Sequence, residues 1–195
     1  MTPPRRIGLD TSATYAQILD AAEQVIRDEG YAAASSRRIA ARAGLKPSLI
    51  HYYFPTTDDV FLAVFQRGAA QSDALIEAAL ASDDPMRALW RFFSDPSRNT
   101  LAQEFVALAN HRKAIGTQIV AHSEAMRARQ AAMIEKLIGK SLEVELGATP
   151  AGFSVILAGI GRALVTEGGL GITAGHDNAR ACIEALLQRL LPPGS

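Results

Sequence analysis

The chain has 195 residues, nearly half of them hydrophobic, and its 20 basic and 20 acidic side chains balance to zero net charge. That length allows one large domain or two small ones with a sizeable core, and the balance means that any attraction to a polyanion must be local. Cys182 is the single cysteine, which excludes an intramolecular disulfide, and its apolar neighbours suggest a buried, unreactive thiol.

The opening MTPPRRIGLD has no apolar run, so it does not read as a signal peptide, and Arg5 and Arg6 make it a basic arm. A first helix is expected from about Thr11 to Glu29, with Tyr15, Ile18, Leu19, Ala22, Val25 and Ile26 as its apolar stripe and Gly30 as its end. Ser35 to Phe54 then reads as two short helices joined by a tight corner. Ser35 can cap the first of them through its hydroxyl. Ile39, Ala40 and Ala43 share one face, Gly44 supplies the left-handed stop, and Leu45 plugs the corner. Pro47 suits the first position of the second helix, where its missing N–H costs nothing. Ile50 and Phe54 point inward together, leaving Pro47, Ser48, Leu49, His51, Tyr52 and Tyr53 available to face outward.

After a turn at Pro55-Thr56-Thr57, Thr57 can cap a helix whose first turn carries Asp58 and Asp59, as the helix dipole favours. Val60, Phe61, Val64 and Phe65 begin its apolar face, and it continues to about Leu80, joining two domains. Ala81 to Pro85 is a loop and fresh helix start, and Ser94-Asp95-Pro96 repeats that signal. A long amphipathic helix spans about Lys113 to Lys140, with Ile119, His122, Met126, Met133 and Leu137 at helical spacing. Thr149-Pro150 opens a helix to about Glu167 that is rich in small residues, including Gly152, Ala158, Gly159, Gly161 and Ala163. Its longest apolar stretch, Ala151 to Gly161, meets Arg162 and Glu167 and is too short and too charged to span a bilayer. A glycine-rich loop follows, then a final helix from about Asp177 to Leu191 with Ile183, Leu186, Leu187, Leu190 and Leu191 on a broad stripe. No segment alternates as a strand would, so the fold class is all-α with about nine helices, and the chain reads most simply as soluble and cytoplasmic.

Two features carry chemistry. No acid occurs between Glu29 and Asp58, while Arg37, Arg38, Arg42 and Lys46 all do. A polyanion repels carboxylates and releases counterions to Lys and Arg, so this window suits contact with nucleic acid, although a solvated basic face reads the same way. A surface ion pair is the better expectation for Arg42. Second, the middle helices carry Trp90, Phe92, Phe93, Phe105, Met126 and Met133, which can line an apolar pocket and are otherwise core. Catalysis finds little support. His51, His111, His122 and His176 form no metal-binding pair, and there is no nucleophile elbow or phosphate-binding loop. No catalytic residue, metal or cofactor is therefore expected, and Gly159-x-Gly161 reads as a packing feature.

Residues 15–65 resemble the DNA-binding domain of the TetR family of one-component regulators. The resemblance rests on Ile18 to Ala22, on Gly30-Tyr31, on Ile39 to Leu45, on Ile50 to Pro55 and on Asp58 to Val60. It directly covers about a quarter of the chain. It implies an N-terminal three-helix helix–turn–helix domain at 1–56 and a larger helical ligand-binding and dimerisation domain at 57–195. It further implies that Pro47, Ser48, Leu49 and Tyr52 meet base edges, and that Arg37, Arg38, Lys46, His51, Tyr53 and Thr57 position the DNA backbone. Three positions depart from the family pattern. Lys46 stands where Ser or Thr often caps the recognition helix, His51 where Tyr is common, and Thr57 where Lys is common. By resemblance the partners are double-stranded DNA with a pseudo-palindromic operator, a small-molecule effector, and a second copy bound through the last two helices; the resemblance does not say which residues line the effector's pocket, for which the side-chain pattern alone offers Trp90, Phe93, Phe105, Met126 and Met133. A homodimeric, ligand-responsive repressor follows, with the helix from Thr57 to Leu80 coupling ligand to DNA. The rival reading is a helical small-molecule-binding enzyme or carrier without specific DNA binding.

Overall fold

The computed structural model describes residues 12–191, apart from the side chains of Ser97 and Arg98. The basic arm of Arg5 and Arg6 lies outside the described residues. Among these the chain is all α-helix, joined by turns and one 3-10 turn, Tyr31–Ala33. The helices are α1 Ala13–Glu29, α2 Ser36–Ala43, α3 Pro47–Tyr53, α4 Thr57–Leu80, α5 Pro85–Ser94, α6 Pro96–His111, α7 Lys113–Leu146, α8 Pro150–Gly169 and α9 His176–Leu190.

Most helix ends have a local cause. Ser12 accepts the Tyr15 N–H at 3.1 Å, Asp84 that of Arg87 at 3.1 Å, and Thr149 that of Gly152 at 3.1 Å, with proline opening both α5 and α8. The cap of α4 is Thr56, not Thr57. Thr56 Oγ1 accepts the Asp59 N–H at 3.2 Å while Asp59 Oδ2 accepts the Thr56 N–H at 2.9 Å. This is a reciprocal capping box, and it leaves Thr57 as the first helical residue, half-buried.

The chain divides into two compact units, residues 1–69 with 101–119, and residues 70–100 with 120–195. In the first unit α1, α2 and α3 close on Ile18, Val25, Ile26, Ile39 and Ile50, joined by Val60 and Val64 of α4. Leu101, Phe105 and Leu108 of α6 complete that core, with Phe65 and Phe105 meeting edge-on at 5.6 Å between ring centres. Glu104, also on α6, accepts the Tyr31 N–H at 2.8 Å. In the second unit Ile76, Met86, Leu89, Trp90, Phe93, Ile134, Leu142, Phe153, Leu157, Leu187 and Leu190 form the core. There α5 crosses α8 at Gly161, where the Phe93 carbonyl leaves no room for a side chain.

Helix α8 is twenty residues long and, by length and composition alone, apolar enough to cross a membrane, with a mean hydropathy of 1.2 over its best window. It is longer than its uninterrupted apolar run because Arg162 and Glu167 lie within it. Only a third of that window is buried, and Val155 and Ile156 stand half exposed. Cys182 is exposed, contrary to the expectation of a buried thiol. It directly precedes Ile183 on α9 and so points away from the buried stripe of Ile183, Leu187 and Leu190.

Candidate nucleic-acid interface

The corner between α2 and α3 is built as its residues dictate. Gly44 adopts φ 68°, and the Leu45 N–H reaches back to the Ala40 carbonyl at 2.9 Å while the Gly44 N–H reaches Ala41 at 3.3 Å. This Schellman arrangement stops α2 and seats Leu45 against the core of the first unit. Lys46 then occupies the N-cap of α3 with no side-chain cap bond, since an ammonium has no acceptor to offer. Pro47 begins the helix, and the Lys46 carbonyl accepts the Leu49 N–H at 2.9 Å.

Ile50 is fully buried and Phe54 nearly so, which fixes the rotation of α3. Lys46, Pro47, Ser48, His51 and Tyr52 are exposed, with Tyr52 at 51%, while Leu49 is half-buried at the margin of the same face. Tyr53 differs from its neighbour. Its hydroxyl accepts from Ser12 Oγ at 3.1 Å and its ring lies 6.3 Å from that of Tyr15, so it is packed onto the start of α1. Tyr52 meets Tyr53 edge-on at 5.4 Å and otherwise extends the outward face.

The charges around this face are less open than their order in the chain suggests. Arg38 donates from Nε and Nη2 to the two oxygens of Glu29, each at 2.8 Å. Arg42 bridges Asp28 and Glu29, also at 2.8 Å. Chiefly through its hydrogen bond to Arg38, the Glu29 carboxyl is held below its ordinary range, so it stays charged well into acid. The carboxylates on the N-terminal side of the acid-free window, Asp28 and Glu29, therefore return to it in space, because the last turn of α1 lies beside α2. Sequence spacing alone carries no signal of that pairing. Arg37 and Lys46 are exposed and have no ion-pair partner among the described residues.

The remaining site expectations scatter. Trp90, Phe93 and Met133 share the core of the second unit, and Met126 is half-buried on α7. Phe105 belongs to the core of the first unit, so the five aromatic and methionine residues do not line one place. Among the described residues no three His, Cys, Asp or Glu side chains come together as metal ligands would.

Residues 18–64, which span α1 to the start of α4, match the family described as bacterial regulatory proteins, tetR family. The fatty acid metabolism regulator protein of Bacillus subtilis is 26% identical over 121 residues, a match covering 60% of this chain and 57% of that protein. The chain thus spans somewhat over half the length of that relative. A TetR transcription regulator from Haloarcula marismortui superposes with a TM-score of 0.68 at 19% identity, over 91% of this chain and 97% of that one. A transcriptional regulator from Saccharomonospora viridis, solved in complex with choline, superposes with a TM-score of 0.70 at 16% identity, over 87% of this chain and 94% of that one. At these identities the superpositions speak for the fold, and the match at α1 to α4 falls on the helices that build the outward face of α3. Residues 18–64 thus carry the likeness to the tetR family of bacterial regulatory proteins, and the chain shares the helical fold of these solved regulators.

Proposed function

We propose that the protein is a ligand-responsive DNA-binding transcriptional regulator that acts as a repressor. One observation carries the reading: α3 turns a carboxylate-free face outward while Ile50 and Phe54 hold it from behind. A short helix so mounted fits a major groove, with Ser48 and Tyr52 offering hydroxyls and Pro47 and the margin of Leu49 offering apolar contact to base edges. Arg37, Lys46 and His51 flank that face as phosphate contacts, with Tyr53 and Thr57 contributing hydroxyls. Arg38 joins them only by sharing its guanidinium with Glu29. In this reading residues 1–56 are the DNA-reading part. Residues 57–195 take up a small-molecule effector and pair two copies, with α4 coupling the two events.

Selection of bound sequences from a random DNA pool tests the reading directly, and a two-fold symmetric consensus is expected. Tyr52→Ala should cost about 1–3 kcal/mol in affinity for the selected site and relax the base preference at one position of each half-site. Specific affinity unchanged by that substitution would remove Tyr52 from the interface.

Dimerisation through α8 and α9 is supported by what those helices expose. Val155 and Ile156 of α8, Leu170 and Ile172 of the following loop, and Ala181, Cys182 and Ala185 of α9 are all exposed in the single chain. An apolar surface of this extent marks an association site. Cys182 supplies the assay. It should react slowly with a thiol reagent in the native dimer and at the rate of an open thiol once Ile156→Asp has separated the copies. Rapid labelling of Cys182 in an intact dimer would place the interface elsewhere.

A further inference from the structure

We propose that the second unit contains a receptor for an organic anion, built from Arg127 and Gln130 of α7 and Ser154 of α8. The inference rests on reading this unit as the effector-binding part of a regulator, and it names the chemical class of the effector. The core-facing stripe of α7 runs through Ile134, Ile138 and Leu142. One turn earlier it changes character, because Gln130, with 3% of its surface exposed, and half-buried Arg127 continue the same side of the helix. Ser154, fully buried on α8, faces them.

The hydrogen bonds among the three have one consistent direction. Arg127 Nη1 donates to Ser154 Oγ at 2.9 Å, and Ser154 Oγ donates to Gln130 Oε1 at 2.7 Å. A guanidinium can only donate, so the serine accepts there and its single proton goes to the glutamine carbonyl. The NH2 group of Gln130 is then left to donate elsewhere, with no acceptor given to it by the described residues. Nor does any carboxylate among the described residues come within ion-pairing distance of Arg127, whereas Arg129, two residues on, is paired with Asp73. Burial, and then the nearby charge of Arg162, disfavour the charged guanidinium, with Glu124 opposing them. The cluster therefore presents donors that no carboxylate among the described residues answers, which suits an incoming anion.

The apolar residues beside it on the two helices bear on the rest of the ligand. Met133 and Ile134 follow Gln130 on α7, and Phe153 and Leu157 flank Ser154 on α8, all of them buried. A carboxylate or phosphate carried on an apolar body satisfies both halves of such a site.

The test is calorimetric titration of the full-length protein with decanoate, decyl phosphate and decanol, with the fluorescence of Trp90, the single tryptophan, followed alongside. At least one of the two anions is expected to bind about tenfold or more tightly than the alcohol, as a charged hydrogen bond implies. Arg127→Gln should erase that preference, Arg127→Lys should restore part of it, and Gln130→Leu should weaken the anion without affecting the alcohol. Thermal melting confirms that each variant is folded. Equal binding of alcohol and anions, an anion preference untouched in Arg127→Gln, or no anion binding up to millimolar concentration overturns the inference. DNA binding of the wild-type protein is measured on the same preparation. DNA binding without anion binding overturns the anion site alone, whereas absence of any sequence-specific DNA binding overturns the regulator reading whatever the calorimetry returns.

Discussion

Gly161→Ala should destabilise the protein by about 2 kcal/mol, even though alanine is the better helix former. A Cβ at this position would lie 2.4 Å from the Phe93 carbonyl oxygen and 2.7 Å from its carbon. Backbone atoms cannot swing aside, so α5 must shift away from α8. The same carbonyl accepts Nδ2 of buried Asn99 at 2.8 Å, and that bond would be disturbed too. Against this stands a gain of roughly 1 kcal/mol from removing a glycine from a helix interior, which overpacking of a close-packed contact exceeds. Gly68 of α4 is the control. A Cβ there meets nothing within 4 Å, so Gly68→Ala should stabilise by about 0.5–1 kcal/mol. Denaturant unfolding of the two variants should give opposite signs, and a Gly161→Ala protein as stable as the parent would dismiss the packing account.

Ile50→Ala is expected to cost about 2–5 kcal/mol and to abolish sequence-specific DNA binding. Helix α3 has seven residues, no side-chain N-cap and a single buried side chain, Ile50. A helix that short does not persist in water by itself, so its position comes from tertiary contact. Leu45 and Phe54 secure its two ends, and Ile50 alone secures its middle. Removing three carbons there leaves a cavity beneath the outward face and frees the helix to rotate. Unfolding measurements and binding to the selected DNA should both register the change, and retained specificity would show that α3 is positioned from elsewhere.

Local features of the fold could be read from the chain, because helix boundaries have local causes. Ser35, Gly44, Pro47, Thr149 and Pro150 each act at short range, and each stands where its chemistry requires. The choice between Thr56 and Thr57 as a cap could not be made from composition, since only the reciprocal bond to Asp59 separates two adjacent threonines. Cys182 was misjudged by its apolar neighbours, where one position of helical rotation decides exposure. Long-range packing left no local trace. Nothing in the spacing of Leu101, Phe105 and Leu108 says that they complete the core around α1 to α3. At the candidate interface, the division of α3 into an inner pair and an outer face followed from periodicity. The pairing of Arg38 and Arg42 with Glu29 and Asp28 joins separate helices and needed the three-dimensional arrangement.

In the proposed function, that pairing would shape how the protein searches a chromosome. Of the four cations between Glu29 and Asp58, two are tied to neighbouring acids, so the positive charge that a duplex would meet around α3 is smaller than the order of the chain suggests. A strongly basic face would be titrated by the roughly 10⁶–10⁹ competing sites that a genome offers. In the proposed function a reduced local charge would keep more molecules off irrelevant sequence, so that occupancy of a cognate site would turn on a few side chains and respond to modest changes in copy number.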